Sequence, residues 1–218
     1  MDKRKEIDMT INKDVIDLSS IINDDEAGIY DKLNAGFLAK RILIFNEDIT
    51  AMVIDDAISW ILQWNLEDLL IPKKERVPIT IFIHSYGGDM YAAGPMMDIM
   101  QASETPIRVV GLGLIASAAY LIYLAADERY SFKNSIFLMH DGEIDVQNSS
   151  GKAKDTMAFF DGMNERVKQY VLDRTAIDEE LYDKNKDREM YMYADRAKEL
   201  GIVQKIIGED ISLKSIFK

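Results

Sequence analysis

From Val109 to Ala126 the chain carries no charged side chain, and this run limits the possible folds more than any other feature. Its length approaches that of a membrane span. Pro106 just ahead of it, Gly111 and Gly113 in its first part and Ser117 near its middle interrupt what a lipid-crossing helix would keep uniform. A buried strand over Ile107–Val110, a glycine turn over Gly111–Ala116 and a buried helix after Ser117 would produce the same hydropathy. The punctuation favours that succession.

The flanking sequence supplies partners for it. Arg41–Phe45 is a short β-rich run, Thr50 can cap a helix, and Val53/Ile54, Ala57/Ile58 and Ile61/Leu62 recur at helical spacing. Residues 71–78 form a loop bounded by prolines, and Ile79–His84 is an apolar strand that runs into Tyr86-Gly87-Gly88. Further strands are expected over Arg129–Phe132 and Ile136–Met139, helices over about Ala153–Leu172 and Ala176–Lys184, and a closing helix over Ala194–Leu200. Gly201 then stops that helix ahead of a strand, Ile202–Ile207. Strands alternating with helices predict an α/β fold with a largely parallel sheet. Residues 1–38 read as an N-terminal arm and 39–218 as one domain.

Composition narrows the function. Over 218 residues, 38 acidic against 26 basic side chains give a net charge of −12, which repels phosphate backbones and anionic lipid. Neither nucleic acid nor membrane is an expected partner. The absence of cysteine removes disulfides, thiolate metal sites and a cysteine nucleophile. It agrees with a cytoplasmic location, as does a charged start, Met1–Asp8, without the apolar core of a secretory signal.

Two histidines, His84 and His140, are the candidates for imidazole chemistry, and each ends an apolar strand. Ser117 follows glycines at a strand-to-helix junction, where free N–H groups and the helix dipole favour negative charge. It is either a small packing residue or a nucleophile whose oxyanion those groups stabilise. The Gly-x-Ser-x-Gly elbow pattern is absent. Gly87-Gly88 is a second source of backbone donors, and no phosphate-loop pattern surrounds it.

The order of these segments is similar to that of the Clp protease proteolytic subunit. Ile79–Gly88 resembles that family's strand and Ser-Pro-Gly-Gly turn, and Gly113–Ala119 its nucleophile turn. Lys133–His140 resembles the strand bearing its histidine, Gly151–Asp155 the start of its handle helix, and Tyr191–Val203 its closing helix and strand. The resemblance implies a crotonase-like α/β fold of repeated β-β-α units with a protruding handle at about 141–175. It implies Ser117 as nucleophile, His140 as base and an oxyanion hole of the Gly88 and Ala118 amides. The family's acid position falls on Glu189, with Asp187 as rival.

The resemblance also implies a serine endopeptidase that hydrolyses peptides or unfolded polypeptides, with no metal and no cofactor of its own. Its assembly would be a homo-oligomer of stacked seven-membered rings fed by an ATP-driven AAA+ unfoldase. Tyr86 departs from the family's proline, Ala118-Ala119 from Met-Gly and Asp141-Gly142 from Gln-Pro. These departures leave as an alternative a weakly active or inactive ring subunit acting as scaffold, and the shared fold, which also builds an oxyanion hole from two amides, leaves as a lesser one a crotonase-type acyl-coenzyme A enzyme.

Overall fold

The structure, a computed structural model, describes residues 19–24, 28–147 and 149–217. The chain divides into two units, residues 1–40 and 41–218. In the first, α1 (Ser19–Ile22) and α2 (Ile29–Leu38) are described. Residues 1–18 and 25–27, which make up much of the expected arm, lie outside the described residues.

The second unit begins with β1 (Ile42–Phe45), α3 (Ala51–Glu67), β2 (Ile79–Ser85) and α4 (Met90–Ala102). It continues through β3 (Ile107–Ala116), α5 (Ala118–Ala125), β4 (Glu128–Phe132), β5 (Ile136–Met139) and a long α6 (Ser150–Arg174). It closes with α7 (Glu179–Asn185), β6 (Met190–Tyr193), α8 (Ala194–Glu199) and β7 (Lys205–Ile207). The strands join in the order β1-β2-β3-β4-β7, with β5 beside β3 and β6 beside β5. Every pairing is parallel except β5 with β6. Parallel strands covered on both faces read as continuous apolar runs. Ile79, Ile81, Ile83, Ile107, Val109 and Val110 are accordingly all buried.

The uncharged run resolves into strand and helix. All eight residues of α5 are buried, so it needs no polar face. No helix among the described residues is long and apolar enough to cross a membrane. The expected glycine turn over Gly111–Ala116 is corrected, because β3 continues through it. Ile83 pairs with Gly111 but Ser85 with Ile115, so β3 carries two extra residues as a bulge. Gly113 sits in the bulge with φ of +58°, and a Cβ there would lie 2.7 Å from His84 Nδ1. Leu114 N–H donates to that nitrogen at 2.9 Å, which sets the ring proton on Nε2. The Leu112 carbonyl stands 3.2 Å from the same nitrogen. His84 is a brace between β2 and β3.

Beyond the bulge β3 exchanges neighbours. Residues 108–111 pair with β4, and 114–116 pair with β5. The buried Ser135 hydroxyl, between those two strands, donates to the Gly111 carbonyl at 2.8 Å and fixes the switch. Helix starts follow their caps. Thr50 accepts from Val53 N–H, Asp89 from Tyr91 N–H and Asp178 from Leu181 N–H. The last of these delays α7 to Glu179 from the expected Ala176. Arg174 Nε donates to Leu124 O at 2.6 Å and its Nη2 to Ala125 O at 2.9 Å, which fixes the end of α6 against the end of α5.

One ion pair is deeply embedded. Arg41, ahead of β1, donates to both oxygens of Asp68 at 2.6 and 2.9 Å, and Thr105 Oγ1 donates to Asp68 Oδ2 at 2.7 Å. Asp68 is fully buried. Burial pushes its pKa up, but the Arg41 and Thr105 hydrogen bonds and the Arg41 charge outweigh this and hold it below the ordinary 3.8. Removing the cation strands a buried carboxylate, so Arg41→Leu is expected to cost ~3 kcal/mol or more of stability in urea unfolding. A carboxyl depressed in the fold stabilises above its unfolded pKa and loses that contribution as pH falls through its folded pKa. Stability of the native chain should therefore drop below about pH 4, and the drop should be smaller in the Asp68→Asn variant. For the bulge, His84→Leu removes the acceptor of Leu114 N–H and should cost ~1 kcal/mol by urea midpoint. His84→Asn, whose amide supplies both an acceptor and a donor, should recover most of it.

Candidate active site

Ser117 closes β3 and opens α5 with φ of 55° and ψ of −125°. Only Arg41 shares a positive φ among the described non-glycine residues. A side chain held in that region stores ~1–3 kcal/mol of strain, which the surroundings must enforce. They do so from three sides. Ser117 N–H donates to the Leu138 carbonyl of β5 at 3.1 Å, and its own carbonyl accepts from Tyr120 N–H at 3.0 Å to begin the helix. Across from it lies Gly87, with φ of +101°, where a Cβ would fall 2.6 Å from Ser117 Cβ and 3.2 Å from Ala118 N. This is a sharp strand-to-helix elbow built without the Gly-x-Ser-x-Gly motif. Gly87, on another strand's turn, supplies the room, and the buried Ala116, Ala118 and Ala119 supply small neighbours.

The glycine turn leaves a second amide free. Gly87 O accepts from Ile49 N–H at 2.8 Å, and Ile49 O accepts from Asp89 N–H at 2.9 Å. In such a parallel bridge the middle residue points its own N–H away from the partner strand. The amides of Gly88 and Ala118 thus donate to no backbone or side-chain acceptor among the described residues. Gly88 has no alternative residue type, because at φ of +145° a Cβ would strike the Ile49 carbonyl. Tyr86 does not disrupt the turn. It is 71% exposed, its ring meets His84 edge-on at 5.9 Å, and Gly87 N–H is held by Ser85 Oγ at 3.1 Å.

His140 follows the last residue of β5 and is half-buried. It lines one cavity with Ser117, beneath Met163 and Val167 of α6. No hydrogen bond joins Ser117 and His140 among the described residues. The sequence reading had named Ser117 and His140 but not the apolar side chains between them. Met163, Val167 and Val171 are readable as a helical stripe, yet nothing in the stripe says which element it covers.

The acidic side is more dispersed. The β5–β6 register sets Met139 opposite Met190 and, carried one residue further, Glu189 opposite His140. Glu189 is exposed, and its carboxylate is the main cause that holds the neighbouring Tyr191 phenol above its ordinary pKa. The ladder then slips. Asp141 N–H donates to Lys186 O at 3.0 Å, so residues 185–187 run beside the segment that follows His140. Asp187 is exposed and faces Asp141 across a hollow shared with Asp161, Glu165 and Lys168. Burial raises the Asp141 carboxyl above the carboxylate norm; the Tyr182 hydroxyl, 3.4 Å away, partly offsets this, and Asp187 adds to it. Asn185 is half-buried, with its amide nitrogen donating to Leu181 O at 2.8 Å. No group of His, Asp and Glu side chains among the described residues is arranged to hold a metal ion.

Comparison with known proteins agrees with this geometry. Residues 24–210 match the family described as Clp protease, so the match takes in part of the segment before Arg41. The ATP-dependent Clp protease proteolytic subunit 2 of Treponema denticola is 28% identical over 84% of this chain and 88% of its own length. The proteolytic subunit 2 of Pseudomonas aeruginosa is 30% identical over 60% of this chain and 66% of its own length. The solved structure of a ClpP1 mutant from Listeria monocytogenes superposes with a TM-score of 0.70 at 26% identity, covering 84% of this chain and 99% of that one. The fold is the crotonase-like one that the resemblance implied. With a family match over most of its length and a strained serine at the end of the central parallel strand, the chain belongs to the Clp protease family.

Proposed function

We propose that the chain is a serine endopeptidase acting on peptides or unfolded polypeptides, with Ser117 as nucleophile and His140 as general base. The observation that carries this is the forced backbone of Ser117, at the head of a buried helix and on the wall of a cavity it shares with His140. In the reaction Ser117 Oγ attacks the peptide carbonyl carbon while His140 takes its proton. The carbonyl oxygen gains the negative charge and is stabilised by the Gly88 and Ala118 N–H groups and the α5 dipole. His140 then returns the proton to the leaving amine, and water repeats the sequence on the acyl-enzyme.

Glu189 is proposed to orient His140, on the strength of its register opposite that residue. Asp187, equally exposed and next to the Lys186 carbonyl that Asp141 N–H binds, is its rival. The relatives' names, as proteolytic subunits of ATP-dependent Clp proteases, support work beside an ATP-driven partner. Assembly into stacked heptameric rings fits α6. Only Val171 of its 25 residues is buried, and Met157 and Phe159 are 42% and 61% exposed, which leaves apolar surface for another copy. A second reading, a ring subunit with little activity, draws on the lack of a Ser117–His140 hydrogen bond among the described residues and on the exposure of Glu189.

Treatment with a fluorophosphonate followed by peptide mass mapping separates the two. Label on Ser117 of the wild type, lost in Ser117→Ala with assembly mass unchanged, is the expected outcome, with peptidase activity down at least ~10³-fold. Label that persists in Ser117→Ala refutes the nucleophile, and an unlabelled wild-type ring supports the scaffold. For the acid, Glu189→Gln should lower kcat by ~10²-fold or more and Asp187→Asn by only a few-fold. The reverse order assigns the role to Asp187. A loss confined to Asn185→Ala assigns it to that amide.

A further inference from the structure

Helix α5 follows directly on Ser117, and few directional contacts hold it in place. Its eight residues are all buried and almost wholly apolar, and apolar contact has no preferred direction. From within the helix only the Tyr123 hydroxyl, donating to Tyr130 O at 3.0 Å, makes a side-chain hydrogen bond among the described residues. The Tyr120 hydroxyl has no partner there. Directional contacts therefore concentrate at the two ends. At the first, Ser117 N–H donates to Leu138 O. At the second, the last carbonyls of a helix find no partner within it, and here an arginine of another helix takes them.

That arginine is Arg174, the last residue of α6. Its Nε donates to Leu124 O at 2.6 Å, and its Nη2 to Ala125 O at 2.9 Å and Ala126 O at 3.4 Å. Tyr170, one turn earlier, lies on the same face of α6. Its ring stands 5.5 Å from the guanidinium, and its hydroxyl donates to Leu121 O at 3.3 Å. The clamp is itself held from behind. Arg129, buried on β4, donates through Nη1 to Arg174 O at 2.9 Å and through Nη2 to Gly201 O at 3.1 Å. Arg41, Arg76, Arg108 and Arg196 each pair with a carboxylate, whereas neither Arg129 nor Arg174 does so among the described residues. In a chain with 38 acidic side chains, two neighbouring cations bound to carbonyls mark a place where geometry, rather than charge pairing, is fixed. The planar fork of arginine suits this, because it spans two successive carbonyls at a set spacing.

An α-helix transmits such a constraint along its axis. Eight residues rise about 12 Å, so a shift at Leu124 and Ala125 reappears at the Ser117 hydroxyl and the Ala118 N–H. A displacement of about 1 Å at reacting groups costs on the order of a hundredfold in rate. We infer that Arg174 is a positioning residue for the proposed nucleophile: by clamping the far end of α5 it fixes where Ser117 stands relative to His140. The inference rests on the serine peptidase reading above and adds no group that touches substrate.

The test uses the full-length assembled chain, a fluorogenic peptide and a fluorophosphonate. Arg174→Met keeps a long stem but has no donors. Its kcat and its rate of Ser117 labelling should each fall about tenfold to a hundredfold, with KM changed by less than about twofold. Arg174→Lys keeps the charge, yet one ammonium cannot reproduce the fork, so its kcat should lie between those of the Met variant and the wild type. Ile216→Ala, in a core cluster that contains no residue of α5, controls for lost stability. Its urea midpoint should drop while kcat stays. A folded, assembled Arg174→Met with wild-type kcat and labelling overturns the inference while the peptidase reading stands, and so does a loss confined to KM. If Arg174→Met does not assemble, Arg174→Lys decides alone, and a wild-type kcat there refutes the clamp. A wild type that neither labels nor cleaves overturns the peptidase reading and this inference with it.

Discussion

The structure depends on the length of β3 and the bulge within it. A strand of ten residues outreaches its neighbours, so its first half is gripped by β2 and β4 and its second half by β2 and β5. The two extra residues near Gly113 allow one strand to satisfy both sets of ladder bonds. His84 Nδ1 then supplies an acceptor for the Leu114 N–H that the bulge would leave without one. Without that bulge the register beyond Gly111 would slip by two residues, which keeps each side chain on its face but would set Gly113, not Ile115, opposite Ser85.

Because β3 outlasts its neighbours, three chain segments converge at its end. The turn after β2 brings Gly87 and Gly88, the end of β5 brings His140, and α5 begins with Ser117. The strained φ of Ser117 is tolerated since each segment removes an alternative. Leu138 binds its N–H, α5 binds its carbonyl, and the missing Cβ of Gly87 leaves the only room for its Cβ. Strain of ~1–3 kcal/mol at one residue is small beside the burial of α5 and of the isoleucines of β2 and β3. The same convergence brings to the surroundings of Ser117 two amides, of Gly88 and Ala118, that donate to no backbone acceptor among the described residues.

The sheet and its helices were largely legible beforehand. Ile79–His84 and Ile136–Met139 declared themselves as largely apolar runs, and Thr50 and Gly201 marked a helix start and a helix stop. The glycine turn expected at 111–116 was the main misreading, because a bulge and a turn both call for glycine and only the pairing partner distinguishes them. At the site, Ser117 and His140 were singled out by residue type and by position at strand ends. The apolar hollow between them was not, since its walls come from α5, β5 and α6, which are distant in sequence. The acid was harder still. Carboxylates are plentiful in residues 178–189, and choosing among them requires the slipped register that binds Asp141 N–H to Lys186 O.

Sequence by itself determined the class of fold, because hydrophobic period and strand-flanking glycines are local properties that report which faces must be buried. It also determined the chemistry available, through two histidines, no cysteine and one serine inside an uncharged run. Tertiary structure alone decided that His84 is a brace and that Ser117 shares a hollow with His140. The physical reason is that both roles are defined by what lies across a gap from the side chain. Residue spacing along a chain carries no record of that distance.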